Sequence, residues 1–130
     1  MLLSESGIVK VGDFGLAKQL EQTYSMKNTS SGTLMYMAPE MYNGGACLKS
    51  DVWSLGISVY EMAEGKNPLA GCSNPCEIMY KVCMEKGISL PLHWSPELRD
   101  FVSKCLVKDV NERSSAVELL KVGVSQYCND

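Results

Sequence analysis

The stretch that most constrains the fold is residues 51–63, where apolar side chains cover most of a helix's circumference. These side chains belong to Val52, Trp53, Leu55, Ile57, Val59, Tyr60, Met62 and Ala63. A helix that is apolar on nearly all sides must be packed by other elements, so the sequence predicts a buried central helix. Ser50 is its predicted N-cap, and Asp51 lies in its first turn, where a carboxylate complements the helix dipole. An acid inside a core needs hydrogen-bond partners, and we expect them for Asp51.

Three further helices are predicted after this one. The first spans about Pro75 to Glu85 and is mixed in polarity, so we expect it to be partly exposed. The second begins at the pair Ser95-Pro96, which supplies an N-cap and a proline at the first helical position. Its apolar residues repeat at the spacing of one helix face: Leu98, Phe101, Val102, Cys105 and Leu106.

The last predicted helix begins at a capping box, Ser115 to Glu118, and continues through Val122. The tail, residues 125–130, is expected to fray.

The N-terminal part of the chain predicts a short β-hairpin. The apolar runs 1–3 and 8–11 suit two strands, and the Ser/Gly-rich residues 4–7 suit the turn between them. Asp13 follows directly, so its carboxylate is expected to project from the end of the second strand. Gly15 supplies the backbone freedom that a turn there needs.

The segment between the hairpin and the central helix is a polar loop followed by a short helix. Residues 19–33 show neither a helical nor a strand period but contain seven hydroxyl side chains: Thr23, Tyr24, Ser25, Thr29, Ser30, Ser31 and Thr33. A solvated surface loop and a phosphorylatable switch explain this composition equally well. Residues 38–42 then predict a short helix with Pro39 in its first turn, ended by Asn43-Gly44-Gly45.

Composition narrows the class of protein. The chain has 130 residues, 45% of them hydrophobic, which suits one compact domain with its own core. A net charge of −3 argues against nucleic acid or an anionic membrane as partner. No apolar run approaches the ~20 residues of a membrane span, and the N-terminus has no secretory signal pattern. The sequence therefore predicts an intracellular, cytoplasmic protein, whose six cysteines, none in a Cys-x-x-Cys pair, are expected to be reduced.

Five short motifs occur along the chain in a fixed order: Asp13-Phe14-Gly15, Gly32-Thr33, Tyr36-Met37-Ala38-Pro39-Glu40, Ser50-Asp51-Val52-Trp53-Ser54-Leu55-Gly56, and Arg113 before the last helix. In this order and spacing the chain resembles the large, C-terminal lobe of a eukaryotic protein kinase. The resemblance covers residues 1–124 and implies a kinase-like fold, α+β as a family. This part would consist mainly of the helices of the large lobe, with an N-terminal β-hairpin.

The resemblance assigns expected roles to the first motifs. Asp13 would chelate the Mg²⁺ that bridges the phosphates of ATP, and Phe14 would be the packing residue that distinguishes active from inactive states. Together with Gly15 and Thr33, which resembles the threonine that contacts the catalytic loop in serine/threonine kinases, they form the expected catalytic set. Residues 13–40 would be the activation segment. Its candidate phosphorylation sites are Thr29 and, as alternatives, Ser25, Ser30 and Ser31.

The remaining matches imply structural roles. Glu40 and Arg113 resemble the buried ion pair that anchors the activation segment, while Asp51 and Trp53 would support the central helix. The stretch 50–68 looks most like MAP-kinase kinases, Ste-group kinases and NIMA-related kinases. Val110 and Ser114 depart from the family, which often has proline at both positions.

Other family motifs do not occur in these 130 residues: the glycine-rich loop, the strand lysine, its partner glutamate and the His-Arg-Asp catalytic loop. Met1-Leu2-Leu3 matches the apolar residues that follow the second Mg²⁺ ligand in the family. We therefore expect part of a serine/threonine kinase domain that binds neither ATP nor Mg²⁺ alone and is inactive alone. In the intact parent it would act on protein substrates and respond to an upstream activating kinase. The alternatives are a non-catalytic docking module and a non-functional product.

Overall fold

The computed structural model describes residues 2–14 and 34–127, with the side chains of Leu3 and of residues 122–127 left aside. Two strands, β1 (Leu2–Leu3) and β2 (Val9–Lys10), form an antiparallel hairpin in which Leu2 faces Lys10 and Leu3 faces Val9. Gly7 adopts a left-handed φ of 79° in the connecting turn. The predicted hairpin is confirmed, with shorter strands than the apolar runs suggested.

The part that begins at residue 34 is helical. A 3-10 helix, Pro39–Asn43, precedes α1 (Leu48–Glu64), α2 (Pro75–Cys83), α3 (Pro96–Cys105) and α4 (Ala116–Tyr127). Within the described ranges no helix is long and apolar enough to cross a membrane.

Local capping chemistry explains where three of these elements begin or end. The Ser95 hydroxyl accepts a hydrogen bond from the Leu98 N–H at the start of α3, as the Ser-Pro pair predicted. Ser115 and Glu118 form the predicted capping box at the start of α4. Gly44 ends the 3-10 helix in the left-handed conformation, with φ of 78°.

The start of α1 was predicted wrongly. The helix begins at Leu48, with Cys47 as its N-cap, and Ser50 occupies the third helical position. The Ser50 hydroxyl accepts from the Cys47 N–H at 3.1 Å, so Ser50 takes the glutamate-like half of a capping box. Serine therefore caps this helix from inside rather than from its flank.

Two boundaries also differ from the sequence prediction. Helix α2 ends at Cys83, two residues before the predicted Glu85, and Asn74 caps its start through the Glu77 N–H. Helix α4 runs to Tyr127 and so includes the first three residues of the predicted tail. Residues 128–130 lie outside the described ranges.

The core lies between α1 and the elements that follow it. The buried apolar residues form one cluster: Leu34, Met37, Ala38, Val52, Trp53, Ile57, Leu69, Ile78, Val82, Leu90, Val102, Cys105, Leu106 and Leu119. Helices α1 and α3 meet at Gly56, where the backbone of α1 approaches the side chains of Cys105 and Leu106. The 3-10 helix packs on α2.

Helix α1 is only partly buried. Val52, Trp53, Gly56 and Ile57 are enclosed, whereas Met62 on the same helix is exposed to solvent. The prediction that this helix is buried on nearly all sides is therefore wrong for the described residues, since one side of it is open. Apolar side chains of the hairpin are likewise exposed: Leu2, Ile8, Val9 and Val11.

We predict that Gly56→Ala lowers the free energy of unfolding by about 1–3 kcal/mol, because overpacking outweighs alanine's better helix propensity. A Cβ at position 56 would lie 2.6 Å from the Cys105 Cβ and 2.8 Å from the Leu106 Cδ2. Urea denaturation followed by circular dichroism measures the change. Gly71→Ala is the matched control, since a Cβ there meets nothing within 4 Å. Equal stability of the two variants would contradict this packing.

Candidate functional site: an acidic turn and a buried anchor

Asp13, the predicted metal ligand, lies just beyond the end of β2. It is exposed and has a φ of 62°, the left-handed region that few non-glycine residues adopt. Such a backbone is held only where surrounding structure determines it, and it is often found at functional sites. Phe14, the next residue, is 69% exposed. The structure thus presents both side chains at the tip of the hairpin, where an approaching group can reach them.

Most of the predicted switch segment lies outside the described residues. This applies to Gly15, to Thr33, and to the candidate phosphorylation sites Ser25, Thr29, Ser30 and Ser31. Their predicted roles stay predictions.

The opposite end of the segment is fixed by an ion pair. Arg113 Nη1 donates to Glu40 Oε1 at 2.7 Å, and Nη2 donates to Oε2 at 2.8 Å. Arg113 is 1% exposed, and the pair joins residues 73 positions apart in the chain. Two parallel hydrogen bonds between a guanidinium and a carboxylate are the strong, directional form of this interaction.

The other donors of Arg113 are also used. Its Nε donates to the carbonyl of Val107 at 2.8 Å, Nη1 to that of Lys49 at 2.9 Å, and Nη2 to that of Lys108 at 3.3 Å. All five N–H donors of the guanidinium are therefore paired, which a buried arginine requires. The side chain ties the 3-10 helix, the start of α1 and the loop before α4 to one point.

Ser50 and Trp53 complete this anchor from α1. The Ser50 hydroxyl donates to Glu40 Oε1 at 2.8 Å. The ring of Trp53, which is fully buried, lies 5.2 Å from the guanidinium carbon of Arg113, a cation–π distance. Its indole Nε1 is buried and has no hydrogen-bond partner among the described residues.

Electrostatics favour the ionised form of Glu40. Burial is the largest influence and raises the pKa of the carboxyl, but hydrogen bonds from Arg113, its own backbone and Ser50 lower it by more. The net effect is a pKa below the ordinary value of glutamate. The anchor is therefore a charged pair at neutral pH.

Asp51 does not occupy the buried position expected for it. It lies in the first turn of α1, where its charge complements the helix dipole, but its side chain is exposed. The prediction of a core acid was wrong because the open side of α1 passes through this position.

A second polar cluster was missed by the sequence analysis. The Tyr36 hydroxyl donates to Glu61 Oε2 at 2.6 Å, and Asn67 Nδ2 donates to the same oxygen at 3.1 Å. The hydrogen bond to Glu61 is the main reason that the pKa of Tyr36 is raised, with burial second. The Tyr36 carbonyl accepts from the Ser54 hydroxyl at 2.8 Å. A lone glutamate on an apolar helix was the available signal.

The described residues offer one candidate Mg²⁺ ligand and not a complete site. Asp13 supplies the carboxylate oxygen that Mg²⁺ prefers. However, no group of three His, Cys, Asp or Glu side chains comes together within the described ranges. The structure therefore supports no catalytic step through a metal in this part of the chain.

Comparison with known proteins identifies the family. A sequence profile described as "Protein kinase domain" matches residues 1–124. The chain belongs to this family.

Its relatives are serine/threonine kinases by name. The chain is 44% identical over 127 residues to serine/threonine-protein kinase pakH of Dictyostelium discoideum, which covers 92% of this chain and 24% of that protein. It is 44% identical over 125 residues to serine/threonine-protein kinase hippo of Drosophila melanogaster, covering 93% and 18%. Identity to mitogen-activated protein kinase kinase kinase 19 of Homo sapiens is 42% over 130 residues, covering 93% and 10%. The chain thus spans a quarter or less of the length of these relatives.

The family assignment confirms the fold that the motifs implied. The described residues are mainly helical with one β-hairpin, as expected for the large lobe of a kinase domain. The Glu40–Arg113 pair, expected only from the resemblance, is present with bidentate geometry.

We predict that Glu40→Ala lowers the free energy of unfolding by about 3–5 kcal/mol, because it leaves the buried charge of Arg113 unpaired. Urea denaturation measures the loss. Asp100→Ala is the control: it breaks the exposed Lys104–Asp100 pair of 2.6 Å and should change stability by no more than about 1 kcal/mol. A double variant with Arg113→Met should cost less than the two single changes added together. Additive costs would contradict the coupling.

We further predict that Glu40 makes stability depend on pH at the acidic end. Its pKa is depressed in the folded state, so its contribution is full above the unfolded pKa and is lost as pH falls through the folded pKa. The difference in urea midpoint between the parent chain and Glu40→Gln should therefore be constant near pH 6–7 and shrink below about pH 4.5. The difference isolates Glu40 from Glu118, whose pKa is also lowered, chiefly by hydrogen bonding to Ser115. A difference that grows on acidification would exclude this linkage.

Proposed function

We propose that these residues are the C-terminal-lobe part of a serine/threonine protein kinase domain. In the longer protein, that domain transfers the γ-phosphoryl group of ATP to Ser or Thr hydroxyls of protein substrates. The observation that carries the proposal is the fully paired Arg113–Glu40 anchor, which fixes one end of the segment 13–40 while Asp13 stands at the other. A segment held at both ends with hydroxyls between them suits a phosphorylation-controlled loop.

Within this proposal the site residues have distinct tasks. Asp13 contributes one oxygen ligand to Mg²⁺, whose chemistry is to neutralise charge on the phosphates. Phe14 packs beside it, and Thr33 positions the substrate side of the site. Thr29 is the preferred phosphorylation site for an upstream activating kinase, with Ser25, Ser30 and Ser31 as alternatives. The printed names of the relatives support serine/threonine rather than tyrosine specificity.

The proposal also holds that residues 1–130 alone are inactive. Phosphoryl transfer needs a metal, a base and a phosphate clamp positioned together. The glycine-rich loop, the strand lysine and the His-Arg-Asp loop do not occur in this sequence. The open side of α1 at Met62 and the apolar hairpin side chains Leu2 and Val9 support a lobe that other parts of a longer protein cover.

The second candidate is a non-catalytic docking module. The anchor favours it to one extent: the Glu40–Arg113 network is complete within the described residues and needs no further donor or acceptor for the guanidinium. A lobe that folds around this network could bind a partner without catalysis. The coding sequence upstream of Met1 separates the candidates, because an in-frame His-Arg-Asp motif there belongs to a catalytic parent.

We predict no phosphate transfer by the purified 130-residue chain. The measurement is incorporation of radiolabelled phosphate from ATP into a serine- and threonine-rich protein, with and without Mg²⁺. The control is Asp13→Asn, which removes the candidate metal ligand and should give the same background. Incorporation by the parent chain that exceeds this background and requires Mg²⁺ would contradict the prediction.

A further inference from the structure

A groove lies between α3 and the segment before it, on residues that the proposed phosphoryl transfer does not use. Residues 89–92 form one wall, and the outward side chains Pro96, Arg99 and Ser103 of α3 form the other. The cavity measures about 600 Å³. It is large enough to take several side chains of another molecule.

The apolar part of the groove has a buried floor and an exposed rim. Leu90 is 5% exposed and belongs to the core, whereas Leu92 beside it is 82% exposed. An isoleucine- or valine-sized side chain that lies over this pair would remove the apolar surface of Leu92 from water. Burial of that kind is worth about 1.5–3 kcal/mol for a complete side chain.

The polar part of the groove carries a cation without a counterion. Arg99 makes no ion pair with a described residue, whereas its neighbour Asp100 is paired with Lys104 at 2.6 Å. The Ser103 hydroxyl is also used, since it donates to the Asp100 carbonyl at 2.8 Å. Arg99 is thus the group in this groove that can still take a carboxylate, ideally through two hydrogen bonds.

The main chain of the same wall is extended and unpaired. No hydrogen bond joins the main-chain groups of Ile88, Ser89 or Leu90 to another residue in the part of the chain described here. Unpaired donors and acceptors along an extended segment are a template for a second extended chain.

We propose that this groove binds an extended acidic peptide segment of a partner protein. The peptide's main chain pairs with residues 88–90, an apolar side chain covers Leu90 and Leu92, and a carboxylate pairs with Arg99. The commitment to an acidic partner follows from the free cation on the groove wall. This proposal stands whether or not the chain belongs to an active kinase.

The test is surface plasmon resonance with the 130-residue chain attached sparsely through its C-terminus, so that copies do not meet. The probe is an acetylated, amidated heptapeptide that alternates Val or Leu with Glu, and the matched control has Gln in place of each Glu. We expect saturable binding of the Glu peptide, at least tenfold weaker binding of the Gln peptide, and weakening of the Glu peptide between 50 and 500 mM salt.

Three variants locate the binding. Arg99→Gln should weaken the Glu peptide at least tenfold and abolish its preference over the Gln peptide. Leu92→Ser should weaken both peptides severalfold. Lys86→Gln, which removes an exposed cation outside the groove, should change neither by more than about twofold.

Circular dichroism of each variant shows whether the fold is kept, and a variant that fails to fold is replaced by Arg99→Lys, which keeps the charge but loses the bidentate geometry and should weaken binding. The proposal is overturned by the absence of saturable binding at about 1 mM peptide, the limit of weak recognition. Equal binding of both peptides, or full binding by Arg99→Gln, overturns it as well.

Discussion

The bidentate pair between Arg113 and Glu40 connects three parts of the chain that apolar packing alone would not place together. Its guanidinium is buried, and an arginine in that position is stable only when each of its five donors has an acceptor. Glu40 accepts two of them, and the carbonyls of Lys49, Val107 and Lys108 accept the others. The positions of the 3-10 helix, the first turn of α1 and the loop before α4 are therefore set by one side chain.

The anchor contributes more to geometry than to net stability. A buried ion pair regains in Coulomb energy and hydrogen bonds roughly what it loses in hydration, whereas a hydrophobic replacement would lose little. What a hydrophobic replacement cannot do is fix direction. Because Glu40 follows Pro39 and also accepts from Ser50, the chain entering the 3-10 helix has one orientation relative to α1. That orientation determines where the residues preceding 40 are delivered.

The sequence predicted those features that depend on neighbouring residues. Ser95-Pro96 and the Ser115–Glu118 box start their helices because the capping side chains reach N–H groups two or three residues away. The start of α1 was missed because Cys47 is an unusual N-cap, and Ser50 satisfies the Cys47 N–H from within the helix. Burial of Asp51 was overestimated because periodicity reports which side chains are apolar and not which sides of a helix are covered.

Contacts between distant residues were accessible only through family resemblance or not at all. The Glu40–Arg113 pair spans 73 positions, and no local pattern in the sequence requires it. The cluster of Tyr36, Glu61 and Asn67 has a similar origin, since it forms only when the end of α1 folds back beside the segment before the 3-10 helix. The free cation of Arg99 could not be inferred either, because its neighbour Asp100 is the obvious partner in sequence and pairs instead with Lys104.

The two ends of the segment 13–40 are held by very different means, and this difference bears on function. Glu40 is fixed by a charged network at the edge of the core, whereas Asp13 extends from a two-stranded ribbon whose side chains at Leu2, Val9 and Val11 are exposed. An isolated two-stranded hairpin is marginally stable in water. The left-handed φ of Asp13 adds local strain that the ribbon alone does little to determine. The position of the Asp13 carboxylate therefore depends on whatever covers the hairpin, while the Glu40 end is already set, so contacts made at the hairpin can control a proposed site whose other end stays constant.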